Sequence, residues 1–155
     1  MALKQKFEAL FKEFAFERPA RRRSLDELIE GLKSSQTRLQ ERFTKAPDTD
    51  KNRATLQHIV AIERWGQNRL KVALGEPLLN DSNHDYKPPK ETPWEDLQRQ
   101  FAETREQTLE VANKLVEAQI DKTKTVQHNQ FGPFSVGGWL RYLQVHASLE
   151  SKRIR

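Results

Sequence analysis

The sequence contains no cysteine. This absence excludes disulfide bonds, thiolate metal ligands and catalysis by a cysteine nucleophile. No run approaches the roughly 18 consecutive apolar residues of a membrane-spanning helix. The N-terminal segment is amphipathic and mixed in charge, so it lacks the unbroken apolar stretch of a signal peptide. These absences predict a cytoplasmic protein with no membrane-spanning segment.

Basic residues are in modest excess, with 27 Lys and Arg against 22 Asp and Glu and a net charge of +5. The densest basic run is Arg21–Arg23. Nucleic-acid binders more often carry a basic stripe with interleaved aromatic residues. Here the charges of both signs alternate as on solvated helix faces, so nucleic-acid binding is not predicted. Binding of duplex DNA by this run would require an association that depends steeply on salt.

The sequence also lacks the alternation of apolar and polar residues that marks strands, and helical periodicity takes its place. Residues 1–155 have the usual size of one domain, with residues 1–23 as a helical extension. The first helix, from Leu3 to about Glu17, is predicted to bury an apolar stripe and to end at Pro19. That stripe consists of Leu3, Phe7, Leu10, Phe11 and Phe14.

Capping residues mark where further helices begin. Ser24 and Glu27 form a capping box at the start of a second helix, which ends near Ala46. Thr92 and Glu95 repeat the pattern for a later helix, which places Pro93 in its first turn. Ser135 is predicted to cap the last helix, after a loop over residues 121–134 without regular structure.

A third helix runs from about residue 50 to Leu74 and contains Gly66, which indicates either close helix packing or a local bend there. The polar loop of residues 76–91 is long for a connection between neighbouring antiparallel helices. The sequence therefore predicts an all-α, up-down four-helix bundle plus the N-terminal segment. A long crossover joins the second and third bundle helices.

The four histidines differ in their predicted surroundings. His84 and His128 fall in loops and are expected to be solvated. His58 shares a helix face with Ile62 and Trp65, so its imidazole should point into or beside the bundle core.

A candidate metal site follows from the last helix. His146 and Glu150 lie one turn apart, about 6 Å along the axis, on nearly the same side. With His58 from a facing helix they make a set of two imidazoles and one carboxylate, which suits Zn, Ni, Fe(II) or Mn and leaves positions open for water or substrate. A histidine on an apolar face is also commonly a hydrogen-bonded core residue, and Glu150 can instead pair with a nearby arginine. Trp65, Trp139 and Tyr142 are candidate walls of a pocket beside this site.

Two stretches resemble the DinB-like family of four-helix-bundle proteins. The first, LQHIVAIERWGQNRL, places His58 at the family's first ligand position. The second, FGPFSVGGWLRYLQVHASLESKRI, resembles the family's final helix, with a Phe-Gly-Pro turn, a Ser or Thr cap, a Trp-Leu pair and then His-x-x-x-His. His146 matches the first histidine of that pair, and Glu150 stands at the place of the second. The resemblance covers residues 24–155.

The resemblance implies a divalent metal held by one residue of the second bundle helix and two of the last. It also implies a homodimer and a small-molecule substrate, since family members include thiol-dependent S-transferases. The expected function is metal-dependent activation of water or a low-molecular-weight thiol, for hydrolysis or S-transfer to an electrophile. The departure at Glu150 leaves a second interpretation, a non-enzymatic stress-related binding protein on the same bundle whose metal site is degenerate or absent.

Overall fold

The computed structural model describes residues 2–155, which are mostly helical, so the predicted all-α class is confirmed. The elements in chain order are α1 (Ala2–Lys12), a π-helical turn (Glu13–Glu17), α2 (Arg18–Arg21), α3 (Leu25–Lys45), α4 (Asp50–Ala73), a 3-10 turn (Asn83–Tyr86), α5 (Trp94–Glu117), β1 (Thr125–His128), β2 (Gly132–Ser135) and α6 (Val136–Ser151). Within residues 2–155, none of the helices combines the length and apolar composition needed to cross a bilayer.

Helices α3, α4, α5 and α6 form the bundle. Each of α3 and α4 packs against both α5 and α6, so α3 and α4 lie at opposite corners although they follow one another in the chain. Apolar residues on the inward faces form two buried clusters, one around Trp139 and the other around Phe43. The apolar faces of the helices therefore point into the bundle, as their periodicity predicts.

Helices α4 and α5 run parallel, which their long connection allows. Arg64 Nη2 donates to Gln100 Oε1 (3.0 Å), and Gln67 Nε2 donates to Thr104 O (2.7 Å). Residue numbers thus rise together along both helices. The chain returns along the bundle through a segment whose 3-10 turn packs on α4. The predicted crossover between the second and third bundle helices is confirmed.

Two of the predicted caps are present and one is wrong. Ser24 Oγ accepts from Glu27 N (3.1 Å), and Ser135 Oγ accepts from Gly138 N (2.8 Å). Pro93, however, occupies the N-cap position of α5, and Thr92 Oγ1 donates to Pro89 O instead (2.7 Å). Thr92 lies one residue too far from the helix to reach its first free N–H groups.

The N-terminal apolar stripe, on α1 and the π-helical turn, is exposed, contrary to the prediction that it is buried. Its five members are between 41% and 82% exposed: Leu3, Phe7, Leu10, Phe11 and Phe14. Helix α1 contacts the β1–β2 hairpin, where Lys12 Nζ donates to Phe131 O (3.2 Å) and to Pro133 O (3.0 Å), and where the ring of Phe11 lies 6.2 Å from that of Phe131. The helix therefore lies on the outside of the bundle.

Pro19 does not end the N-terminal helical segment, because the backbone stays helical through Arg21. The N–H of Arg18 donates to Glu13 O, which is the five-residue bond of a π turn. Helix α2 then begins anew with Pro19 in its first turn, where a missing N–H costs little. Arg21 of the basic run pairs with Glu13, and Arg23 Nη1 donates to Pro19 O (2.8 Å), so both are engaged within the fold.

A short antiparallel hairpin occupies the segment that the sequence predicts as irregular. Thr125 pairs with Ser135, and His128 pairs with Gly132. Gly132 has a φ of +71°, which suits the residue that follows a three-residue hairpin loop. The strands escape prediction because they are only four residues long and because the buried position of His128 carries a polar residue type. The hairpin leads directly into α6.

Candidate metal centre

The candidate ligands lie on α4 and α6, which run antiparallel. Asn52 near the start of α4 hydrogen-bonds Arg155 beyond the end of α6 (Nδ2 to O, 3.0 Å), and His58 meets His146 further along. The two helices approach closely at Gly66, where an added Cβ would lie 2.5 Å from Leu143 Cδ2. Of the two roles predicted for Gly66, close packing is therefore the observed one.

All three predicted ligand residues come together. His58 Nε2 and His146 Nε2 are 3.2 Å apart, and one ligand atom from each of His58, His146 and Glu150 lies within 4.8 Å of the others. Two imidazoles bound to one ion at about 2.1 Å would hold their nitrogens roughly 3.0–3.4 Å apart. The observed spacing of the nitrogens fits a shared ion.

The surroundings of both imidazoles favour the neutral form that a metal ligand needs. Burial, together with the neighbouring His58 and His128, lowers the pKa of His146 to about 3. Burial also lowers the pKa of His58, an effect that the negative charge of Glu150 partly opposes. The Glu150 side chain is 23% exposed and therefore reaches the edge of the site.

The same contacts also describe a site without metal. A separation of 3.2 Å is an ordinary hydrogen-bond distance between two neutral imidazoles, one donating and the other accepting. Glu150 Oε2 accepts from Arg153 Nη1 (3.3 Å), as expected of a terminal surface pair. Geometry alone therefore permits both interpretations of the cluster.

A cavity of about 640 Å³ opens beside the three residues. Trp65 and Tyr142 line it, as the sequence predicts. Trp139 is instead fully buried, and its Nε1 donates to Val126 O (3.1 Å). Burial raises the pKa of Tyr142, which keeps the phenol protonated and able to donate. The cavity has room for a small molecule next to the candidate ligands.

His128 is buried, which corrects the prediction that it is solvated. It is 3% exposed, and its ring lies about 5 Å from the rings of Trp65, Trp139 and Tyr142 (centroid distances 4.9, 5.0 and 5.0 Å). Burial lowers its pKa to about 3, with Arg69 and Lys12 adding to the effect. His128 also lines the cavity, so sequence reasoning missed a residue of the site. The available signal was the Thr-Val-Gln-His alternation of β1.

One protein family matches this chain. The model described as the DinB superfamily matches residues 20–149, which include α3, α4, α5 and most of α6. His58 and His146 fall inside the match, and Glu150 is the first residue beyond its end. Helix α1 also lies outside it. No curated protein and no solved structure matches the chain.

Proposed function

This chain belongs to the DinB superfamily, and we propose that it is a divalent-metal-dependent enzyme whose ion is held by His58, His146 and Glu150. The proposed reaction is hydrolysis or thiol transfer to a small electrophile. The observation that carries the proposal is the 3.2 Å approach of the two Nε2 atoms beside the Glu150 carboxylate, at the edge of a cavity.

The roles of the residues follow from their charge states. His58 and His146 would bind through neutral Nε2 atoms, and Glu150 would supply the negative charge. A bound Zn, Ni, Fe(II) or Mn ion lowers the pKa of water or a thiol, which supplies a nucleophile near neutral pH. Tyr142, whose ring centroid lies 5.7 Å from that of His146, keeps its proton and can donate a hydrogen bond to a substrate.

A second candidate function is a non-enzymatic binding protein in which the two histidines only hydrogen-bond each other. The Glu150–Arg153 pair favours it, because an engaged carboxylate needs no ion. The cavity beside His58 favours the enzyme instead, since a purely structural histidine pair is better served by filled space.

Metal analysis of the protein, purified without chelator and without a nickel column, separates the two functions. We expect close to one ion per chain in the wild type and a large loss in His58→Ala and His146→Ala. Glu150→Gln should retain less metal, with affinity weakened about tenfold or more. His84→Ala is the matched control, because His84 is exposed on the 3-10 turn.

A trace amount of metal that is the same in the wild type and in both histidine variants would contradict the enzyme proposal. In that case, alanine at His58 or His146 should change only the free energy of unfolding. That result would support the binding-protein function.

We also propose a homodimer. Its support is the part of the exposed N-terminal apolar stripe that does not line the cavity, Leu3, Leu10 and Phe14, because exposed apolar patches of this kind commonly mark contact surfaces. Sedimentation velocity tests it, and a protein that stays monomeric at every accessible concentration would contradict it. Cytoplasmic location stays a prediction.

A further inference from the structure

Two buried N–H donors, on rings that line the cavity, have no hydrogen-bond partner. Trp65 Nε1 and His128 Nε2 are both buried, and neither has an acceptor within residues 2–155. Trp139, a neighbour of both, shows the usual arrangement, since its Nε1 donates to Val126 O. Buried polar groups nearly always have partners, so an unpaired one calls for an explanation.

The hydrogen bonds of His128 fix which nitrogen carries the proton. Its Nδ1 accepts from Gln130 N (3.0 Å) and from Phe131 N (3.2 Å), in the loop of the hairpin. A neutral imidazole that accepts at Nδ1 carries its proton on Nε2. His128 Nε2 is therefore a donor, as Trp65 Nε1 always is.

Both donors belong to rings that line the same cavity as the candidate metal ligands. The two rings meet edge to face, with centroids 4.9 Å apart and an interplanar angle of 76°. An aromatic face is only a weak acceptor for an N–H group. Both N–H groups are closed off from solvent in the structure, so an entering molecule would reach them only if these rings shift.

The other side chains that line the cavity indicate what kind of molecule it can hold. Six aromatic rings line it: Phe7, Phe11, Phe16, Trp65, Phe131 and Tyr142. Aromatic walls favour a planar apolar partner, through stacked and edge-to-face contacts. Phe7 and Phe11 come from α1, so part of this wall lies outside the residues that the family model matches.

We infer that the cavity takes a small planar aromatic molecule that carries a carbonyl-type oxygen, and that this oxygen accepts from Trp65 Nε1 and His128 Nε2. The aromatic body lies among the rings of the wall, close to His58 and His146. This inference names the substrate class of the proposed metal-dependent reaction, and in that sense it rests on the proposed function.

A pair of probes with the same shape tests the inference. Acetophenone carries the oxygen, and α-methylstyrene replaces it with a methylene group. We expect acetophenone to bind metal-depleted protein about five- to tenfold more tightly, the effect of adding hydrogen bonds to one oxygen. Acetophenone should also move the indole N–H resonance of Trp65, which Trp65→Phe identifies in a ¹H–¹⁵N spectrum.

Two variants test whether the N–H groups of Trp65 and His128 cause the preference for acetophenone. Trp65→Phe removes an N–H and keeps a ring, and His128→Asn keeps an acceptor for the hairpin loop while removing Nε2–H. Each should weaken acetophenone binding about five- to tenfold and leave α-methylstyrene binding nearly unchanged. Trp94→Phe is the control, because Trp94 lies in the other apolar cluster and should change neither affinity.

Equal affinity of the wild type for the two probes would overturn the inference, and that comparison needs no variant to fold. An acetophenone preference that survives both substitutions would overturn it as well. Because the titrations use metal-depleted protein, they are independent of the metal analysis. If the protein binds no metal but still prefers acetophenone, only the proposed metal-dependent reaction is contradicted. If it binds metal but shows no preference for acetophenone, only the inferred substrate class is contradicted.

Discussion

At the scale of single residues, His128 shows how surroundings set a charge state. The ring is buried among aromatic side chains, and its Nδ1 accepts from two backbone N–H groups of the hairpin loop. Protonating it would place a charge in an apolar environment and turn Nδ1 into a second donor facing those N–H groups. Both effects oppose the charged form, which agrees with a pKa of about 3.

This lowered pKa predicts a pH-dependent stability. The pKa of His128 is about 3 in the folded protein against an ordinary value of 6.5, so between these values the unfolded chain binds more protons. His128 therefore lowers the free energy of unfolding as the pH drops from about 6.5 toward 3, by up to about 1.4 kcal/mol per pH unit. His128→Asn should make the slope shallower by this contribution and leave that of His146, whose pKa is also about 3, as measured by urea unfolding of metal-depleted protein between about pH 6.5 and 4.5.

His84→Asn serves as the control for that experiment, because it removes an exposed imidazole and leaves His128 in place. Parallel pH profiles for the wild type and His128→Asn would show that His128 does not stay neutral in the folded protein.

The ligand residues could be predicted from the sequence because helical periodicity fixes which side chains share a face. His146 and Glu150 are one turn apart on α6, and His58 lies on the inner side of α4. The 3.2 Å approach of the two imidazoles could not be predicted, since it depends on how closely α4 and α6 pack. His128 was missed because a loop histidine is ordinarily solvated, and only the tertiary fold reveals its burial.

At the scale of helices, the contact between α4 and α6 depends on Gly66. A Cβ at this position would lie 2.5 Å from Leu143 Cδ2, and Leu143 is itself buried in the close-packed core, where displacing it is costly. The comparable contact of Gly31 involves the end of the flexible Gln144 side chain, at 2.6 Å from Oε1. The two glycines therefore differ in what an added methyl group would displace.

Alanine at these positions should have opposite effects. Helix propensity favours Ala over Gly by roughly 1 kcal/mol in both helices. Overpacking against Leu143 costs about 1–3 kcal/mol, so Gly66→Ala should destabilise the protein by roughly 1 kcal/mol and separate the two histidines. Gly31→Ala should be neutral or stabilising, since Gln144 can rotate away. Urea unfolding measures both, and metal affinity reports on the histidine spacing.

A stabilised Gly66→Ala variant would contradict the tight contact. Leu143→Ala combined with Gly66→Ala supplies a further check, because removing the opposing methyl groups should make the glycine substitution less harmful than it is alone.

The helices that could be predicted are those with local signals. The Ser24–Glu27 box and the Ser135 cap depend on residues three positions apart, so the sequence contains the whole interaction. The exposure of the N-terminal apolar stripe could not be predicted, because an amphipathic face only indicates that a helix has an apolar side. The partner that covers it lies elsewhere in the fold, and within residues 2–155 nothing covers this face completely. The hairpin has strands too short for a periodicity to stand out.

At the scale of the whole molecule, one buried ion pair connects three bundle helices. Arg105 on α5 binds Glu63 on α4 through Nη2 and Oε2 (3.0 Å), and it donates to Leu32 O on α3 through Nη1 (2.9 Å). Both charged side chains are at most 1% exposed. No short-range pattern in the sequence predicts this pair, because its members are 42 positions apart.

The energetics of such a pair depend on whether both charges are removed together. Arg105→Met alone leaves the Glu63 carboxylate buried without its partner, and we expect a loss of about 3–5 kcal/mol in the free energy of unfolding. Glu63→Leu combined with Arg105→Met removes both charges, and it should cost much less than the single change. The remaining hydroxyls keep acceptors, since Ser35 Oγ donates to Leu32 O (3.0 Å) and Thr108 Oγ1 to Thr104 O (3.1 Å). Urea unfolding of the two single variants and the double variant measures this coupling. A double variant as unstable as the sum of the single ones would mean that the two side chains contribute independently, and it would contradict the expected coupling.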